Sequence, residues 1–66
     1  MSLLSNLRQK DKYHVRYKEG GRKTSTVTFK VLSAAKKEAR KIQSETGIPP
    51  EVFHYGNDGE PIFHDF

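Results

Sequence analysis

Two stretches in the first half of the chain alternate apolar and polar residues, which is the period of a strand with one face toward a core. They span residues 12–18 (KYHVRYK) and about 23–31 (KTSTVTFKV). The paired glycines within residues 19–22 (EGGR) favour a tight hairpin turn, because glycine adopts a positive φ without strain. The predicted core face of this hairpin consists of Tyr13, Val15, Tyr17, Val27, Phe29 and Val31.

The opposite face of the same hairpin is polar and positively charged. Threonine and lysine are common on a strand face that meets only water, so a solvated surface is one interpretation. A surface that touches a partner is the other, and the alternation alone does not choose between them. The residues of this face are His14, Arg16, Lys18, Thr24, Thr26, Thr28 and Lys30, with Arg22 and Lys23 at the turn.

A helix is predicted after this hairpin, where the spacing of apolar residues becomes helical. Ser33 is the predicted N-cap. Gly47 suits the left-handed position just past a helix, Ile48 can fold back on the last turn, and Pro49–Pro50 prevent continuation. The small residues of the apolar stripe predict a helix lying close against a sheet. The stripe consists of Leu32, Ala35, Ala39 and Ile42.

Residues 51–66 predict a second hairpin, with Gly59 in a left-handed turn position. Pro61 lacks a backbone N–H and indicates that the last strand lies at an edge. Both faces are partly apolar, so the pattern leaves open which one packs. One face holds Phe53, Tyr55 and Phe63, and the other holds Val52, His54, Ile62 and His64. The complete order, β-β-α-β-β, predicts an α+β domain with one helix packed on an antiparallel sheet.

Length and composition narrow the class of protein. The 66 residues predict a single domain, with residues 1–11 as a candidate flexible N-terminal arm. A chain this short has little room for a catalytic pocket of ~300 Å³, so we do not expect an enzyme. The chain has no cysteine, no apolar run of the ~20 residues that a membrane span needs, and no signal-peptide pattern. We therefore expect a cytoplasmic protein with no membrane partner and no cofactor.

The net charge of +4 favours polyanionic partners, although such a charge also serves solubility. Arginine and lysine neutralise phosphates, threonine hydroxyls bond to phosphate oxygens, and a two-stranded ribbon fits a major groove. Lys36 and Lys37 lie near the predicted helix start, where the dipole disfavours cations. A bound phosphate would offset that cost, and a solvated helix face is the alternative. The predicted nucleic-acid-binding residues are His14, Arg16, Lys18, Arg22, Lys23, Thr26, Thr28, Lys30, Lys36 and Lys37.

Metal and catalytic chemistry find little support in the spacing of residues. His54 and His64 could share a face of the second hairpin, but no third ligand has a recognisable spacing, and zinc sites need three or four. No spacing places a nucleophile such as Ser44 beside a histidine. We predict no metal site and no catalytic residue. At least two aromatic residues of the tail are expected in the core, and the others could stack on bases or enter a partner's pocket.

The segment YHVRYKEGGRKTSTVTFKVLSAAKKEARKI, residues 13–42, resembles the arm-type N-terminal DNA-binding domain of tyrosine recombinases, the phage-integrase family. The resemblance implies a sheet that lies in the major groove with a helix behind it. It implies that Arg16, Arg22, Lys23, Thr26, Thr28 and Lys30 face DNA, while Tyr13, Val15, Tyr17 and Phe29 form the core. The family has three strands before the helix, whereas two are predicted here. The matching positions are Tyr13, Val15, Arg16, Tyr17, Gly21, Arg22, Lys23, Phe29, Ala35 and Ala39.

The residues and the resemblance together predict a small non-enzymatic protein that binds nucleic acid, in particular duplex DNA, through the polar face of the first hairpin. The resemblance adds the expectation of a mobile-element or phage accessory or regulatory factor. A different class remains open. The protein could be a small protein-binding regulator or inhibitor that docks on an acidic partner through the basic face or the aromatic tail hairpin.

Overall fold

The computed structural model describes residues 11–20 and 22–66 of the chain. Its elements confirm the predicted order β-β-α-β-β. The predicted flexible arm, residues 1–11, lies outside the described residues except for Asp11. Gly21 of the predicted turn also lies outside them. The elements are β1 Tyr13–Glu19, β2 Lys23–Phe29, α1 Leu32–Thr46, β3 Glu51–Tyr55 and β4 Pro61–His64.

The four strands form one antiparallel sheet in the order β2-β1-β3-β4. β1 therefore lies inside the sheet, between β2 and β3. The helix α1 packs against one face of the sheet, which we call the helix face, and the opposite face is the outer face. β4 is an edge strand, as predicted from the missing N–H of Pro61.

The core forms between α1 and the two central strands. Ala35 and Ala39 are fully buried at 0% exposure and lie against Val15 and Val52, which are 0% and 1% exposed. Alanine has no side chain beyond Cβ, so the helix can approach the sheet closely. The predicted stripe on α1 is confirmed. The partly buried residues around this core are Tyr13, Val27, Phe29, Leu32, Ile42 and Phe66.

Two predictions at the start of α1 are wrong. Val31 was expected in the core, but β2 ends at Phe29 and Val31 is 58% exposed. Val31 is instead the N-cap, because its carbonyl accepts the N–H of Ala35 at 3.3 Å. The helix therefore begins at Leu32 with no side-chain cap, and Ser33 lies within its first turn.

The end of α1 has the predicted left-handed glycine. Gly47 has a φ of 75° and donates its N–H to the carbonyl of Gln43 at 2.8 Å. The hydroxyl of Thr46 donates to the carbonyl of Ile42 at 2.8 Å and accepts the N–H of Ile48 at 3.1 Å. Within residues 11–20 and 22–66, no helix combines the length and the apolar character needed to cross a bilayer.

The second hairpin also has the predicted register. Phe53 lies opposite Phe63, and Val52 lies opposite His64. Gly59 has a φ of 81°, and its N–H donates to the carbonyl of Gly56 at 3.0 Å, which closes the turn. Because Val52 belongs to the core, its face of the hairpin is the one that packs on α1. The aromatic residues Phe53 and Phe63 therefore lie on the outer face.

Candidate nucleic-acid interface

The outer face aligns the polar residues of the first hairpin in two neighbouring rows. Residues directly opposite each other in antiparallel strands have Cβ atoms about 4.5–5.5 Å apart, so each basic residue of β1 has a threonine beside it. We call the β1 residues the basic row and the β2 residues the threonine row. The opposed pairs are His14 with Thr28, Arg16 with Thr26, and Lys18 with Thr24.

The same face continues onto β3 and β4 with aromatic residues. Phe53 lies opposite His14 on one side and opposite Phe63 on the other. The alternation in the sequence placed Phe53 and Phe63 on one face of their hairpin, but it did not show that this face adjoins the basic row. The two surfaces adjoin because β3 pairs with β1, and that pairing joins residues far apart in the sequence. The resulting aromatic cluster comprises His14, Phe53, Tyr55 and Phe63.

His14 differs from its predicted environment. Its side chain was expected on an exposed basic face, but it is only 5% exposed. The imidazole stacks on Phe53, with ring centroids 5.2 Å apart and planes at 20°, and meets Tyr55 edge-on at 5.2 Å. His14 is therefore a member of the aromatic cluster, and the prediction that it is an exposed basic contact is wrong.

Arg16 occupies the centre of the outer face. Its Nε donates to Oε1 of Glu51 at 2.9 Å, and the two side chains are 43% and 50% exposed. Its guanidinium carbon also lies 5.1 Å from the centroid of Phe53, which is a cation–π distance. The guanidinium is thus held in place over the boundary between the basic row and the aromatic cluster.

The remaining polar residues of the first hairpin are accessible. Lys18 and the threonine row are exposed, and Lys18 has no ion-pair partner among residues 11–20 and 22–66. Arg22 is exposed in the turn, where its backbone N–H donates to the carbonyl of Glu19 at 3.2 Å. Lys23 is also exposed, but its register opposite Glu19 places it on the helix face. Among the strand and turn residues that the structure describes in this hairpin, the accessible cations on the outer face and its turn are therefore Arg16, Lys18 and Arg22.

The other predicted contact residues lie elsewhere. Lys30 was expected to continue the threonine row, but it falls in the bend after β2 and lines a groove with Tyr13 and His54. Lys36 and Lys37 lie on α1, on the far side of the sheet from the outer face. The fold does not bring these three lysines together with the basic row.

A histidine pair lies on the helix face of the second hairpin. Nδ1 of His54 and Nε2 of His64 are 2.6 Å apart, and Tyr13 packs against both rings at 5.5 and 5.9 Å. The pKa of His64 is lowered from its ordinary value. The largest cause is burial, followed by electrostatic interaction with His54 and then with Lys36. One ring must accept the hydrogen bond, so at least one imidazole is neutral when the pair forms. No third histidine, cysteine, aspartate or glutamate joins them in a metal-sized group within the described part of the chain.

The chain matches no protein-family model, and no curated protein or solved structure is significantly similar to it. The resemblance of residues 13–42 to recombinase arm domains therefore stays a prediction. The class that the structure defines is a small α+β domain with a four-stranded antiparallel sheet and one helix.

Proposed function

We propose that this protein is a non-enzymatic nucleic-acid-binding protein that contacts duplex DNA through the outer face of its first hairpin. The observation that carries the proposal is the register of the basic row with the threonine row. Two accessible cations, Arg16 and Lys18, each lie beside a threonine of the neighbouring strand, and both kinds of side chain bond to phosphate oxygens. A location in the cytoplasm and a role as an accessory or regulatory factor of a mobile element or phage belong to the same proposal.

The chemistry is phosphate neutralisation with limited base contact. Lys18 and Arg22 supply charges that form no ion pair within the described part of the chain, and Arg16 supplies a planar guanidinium that can bond to a phosphate or to a guanine edge. The exposed ion pair of Arg16 with Glu51 is no barrier to this, because such pairs contribute only about 0–1 kcal/mol and can be exchanged. Threonine hydroxyls of Thr26 and Thr28 add uncharged contacts beside these cations.

Salt dependence of binding tests the proposal. Affinity for a short duplex should fall with a log–log slope of about −0.9 for each phosphate neutralised, which gives about −3 for the three outer-face cations. Replacing Arg16 and Lys18 with glutamine should reduce that slope by about 2 units. The matched control replaces Arg40 and Lys41, exposed on α1, and removes the same charge from the other side of the sheet.

Equal loss of affinity in both double variants would show that only net charge matters and would refute the assignment to the outer face. No retention on duplex DNA at low salt would refute the proposal itself.

A second candidate function rests on the exposed aromatic side chain at β4. Phe63 is 56% exposed beside the buried Phe53, so part of the aromatic cluster remains free for a partner. A small regulator or inhibitor that docks on an acidic protein would use this ring together with Arg16 and Lys18. Such binding should depend weakly on salt and strongly on Phe63→Ser, whereas phosphate-dominated binding should show the reverse.

A further inference from the structure

The two edges of the sheet are protected to very different degrees. Natural edge strands carry prolines, charges or short lengths that discourage pairing with other chains. β4 has four residues and begins with Pro61. β2 has seven residues, KTSTVTF, with no proline or glycine and with Lys23 at its first position as its single charge. Among the strands of the described residues, β2 has a neighbour on one side only.

The composition of β2 also favours pairing. Threonine, valine and phenylalanine are strong strand formers, and threonine pairs directly across strands stabilise a sheet. Within the described residues, β2 therefore presents a long and nearly uncharged edge beside a basic surface.

A second copy of β2 complements the first. If two β2 strands run antiparallel with Thr26 opposite Thr26 of the second copy, Thr24 lies opposite Thr28 and Ser25 opposite Val27. The threonine rows of the two copies then meet on one face, and no two charges within the strands oppose each other. This register is isologous, so each copy gives and receives the same contacts and the assembly closes at two chains.

A groove on the helix side of the first hairpin also favours pairing with a second copy. Its floor is apolar, with Tyr17, Val27 and Ile42, and its volume is about 460 Å³. Its rim carries both signs of charge on α1, with Lys41 between Glu38 and Glu45. A two-fold axis at β2 brings the rims of two copies toward each other, and a rim with both signs of charge can pair with itself.

We propose that β2 is a dimerisation edge at which two copies pair antiparallel about a two-fold axis at Thr26, joining their sheets into one. The inference does not depend on nucleic-acid binding, and its test contains none. Because the two-fold axis runs beside Thr26, a charge placed there faces the identical charge of the second copy.

The test uses the full chain in sedimentation equilibrium, with concentrations up to about 1 mM because small interfaces bind weakly. The wild type should self-associate to a dimer. Thr26→Lys and Thr26→Glu should each weaken that association by about tenfold or more, since like charges then lie directly opposite. An equimolar mixture of the two variants should restore it as a one-to-one heterodimer, observed by native mass spectrometry.

Thr28→Glu is the matched control. It introduces the same side chain on the same strand, but opposite Thr24, so the dimer should persist. Amide spectra of each variant verify that the fold is kept. A wild type that stays monomeric at every concentration, equal effects of Thr26→Glu and Thr28→Glu, or a mixture that fails to associate would each overturn the inference.

Discussion

Glu51 forms an ion pair with Arg16 of the basic row, and removing its charge should strengthen nucleic-acid binding. The carboxylate bonds to Arg16 at 2.9 Å on the outer face. In the free protein it occupies the guanidinium that a phosphate would otherwise contact. Glu51→Gln keeps the size and polarity of the side chain while removing the charge.

The magnitude follows from the exposure of the pair. Both side chains are about half exposed, at 43% and 50%, so the ion pair contributes about 0–1 kcal/mol to stability. Freeing Arg16 therefore improves binding by up to about fivefold, since 1.4 kcal/mol corresponds to tenfold. A carboxylate about 6 Å from a phosphate also repels it by about 0.7 kcal/mol in water. Together these effects predict binding that is about 3- to 20-fold tighter at low salt.

Fluorescence anisotropy with a labelled duplex at several salt concentrations measures the change. Arg16→Gln should reduce the salt slope by about 0.9, whereas Glu51→Gln should leave it near −3, because Arg16 already neutralises a phosphate in the wild-type complex. Glu45→Gln is the matched control, because it makes the same charge change on α1, where the residue is exposed. The free energy of unfolding should change by less than about 1 kcal/mol in each of these variants.

The two members of the ion pair should thus act in opposite directions on binding. If Glu51→Gln and Arg16→Gln both weaken binding, the pair acts by holding the outer face in shape, and the reasoning about competition is wrong. If Glu45→Gln strengthens binding as much as Glu51→Gln, the effect belongs to net charge and not to this site.

The remaining expectations concern stability. Because the pKa of His64 is lowered from 6.5 by burial, His54 and Lys36, the unfolded chain takes up a proton first as the pH falls. Stability should therefore be lost below about pH 6.5, and urea midpoints of wild type and His64→Asn should diverge there; parallel profiles would contradict this. Gly47→Ala should cost about 1 kcal/mol through its φ of 75° alone, because no atom lies within 4 Å of an added Cβ. Val52→Ala should cost about 2 kcal/mol by chemical denaturation, and a smaller loss would mean that the site collapses on the missing methyl groups.

Local patterns in the sequence were enough to predict the elements and their faces. Alternation around Val15 and Val27, the stripe through Ala35 and Ala39, and glycine at position 47 each depend on neighbours a few residues away. The errors at Val31 and Ser33 have the same local origin. A strand pattern and a helix pattern overlap there, and the backbone of Val31 serves as the cap, so the serine signal is not used.

The candidate site could be predicted only in part, because its environment is set by strand order. Period-two alternation placed Arg16 and Lys18 on one face. Nothing near His14 in the sequence shows that Phe53 lies beside it, since that contact requires β3 to pair with β1. The buried position of His14 and the ion pair of Arg16 with Glu51 both follow from that one strand pairing. The two residues of the ion pair are 35 positions apart in the sequence.

The pairing of β3 with β1 also limits what one copy can do. In the described part of the first hairpin it leaves Arg16, Lys18 and Arg22 as the accessible cations of the outer face and its turn, enough for a salt slope of about −3 and weak binding. In the β2-paired dimer, two basic rows lie three strand spacings apart, about 14 Å, on either side of a threonine ribbon. A major groove is about 12 Å wide, so the threonine ribbon can lie over the groove while each basic row reaches the phosphates of one strand. The slope should then approach about −6 as protein concentration rises through the dimerisation range, and a slope fixed near −3 would mean that the two copies bind independently.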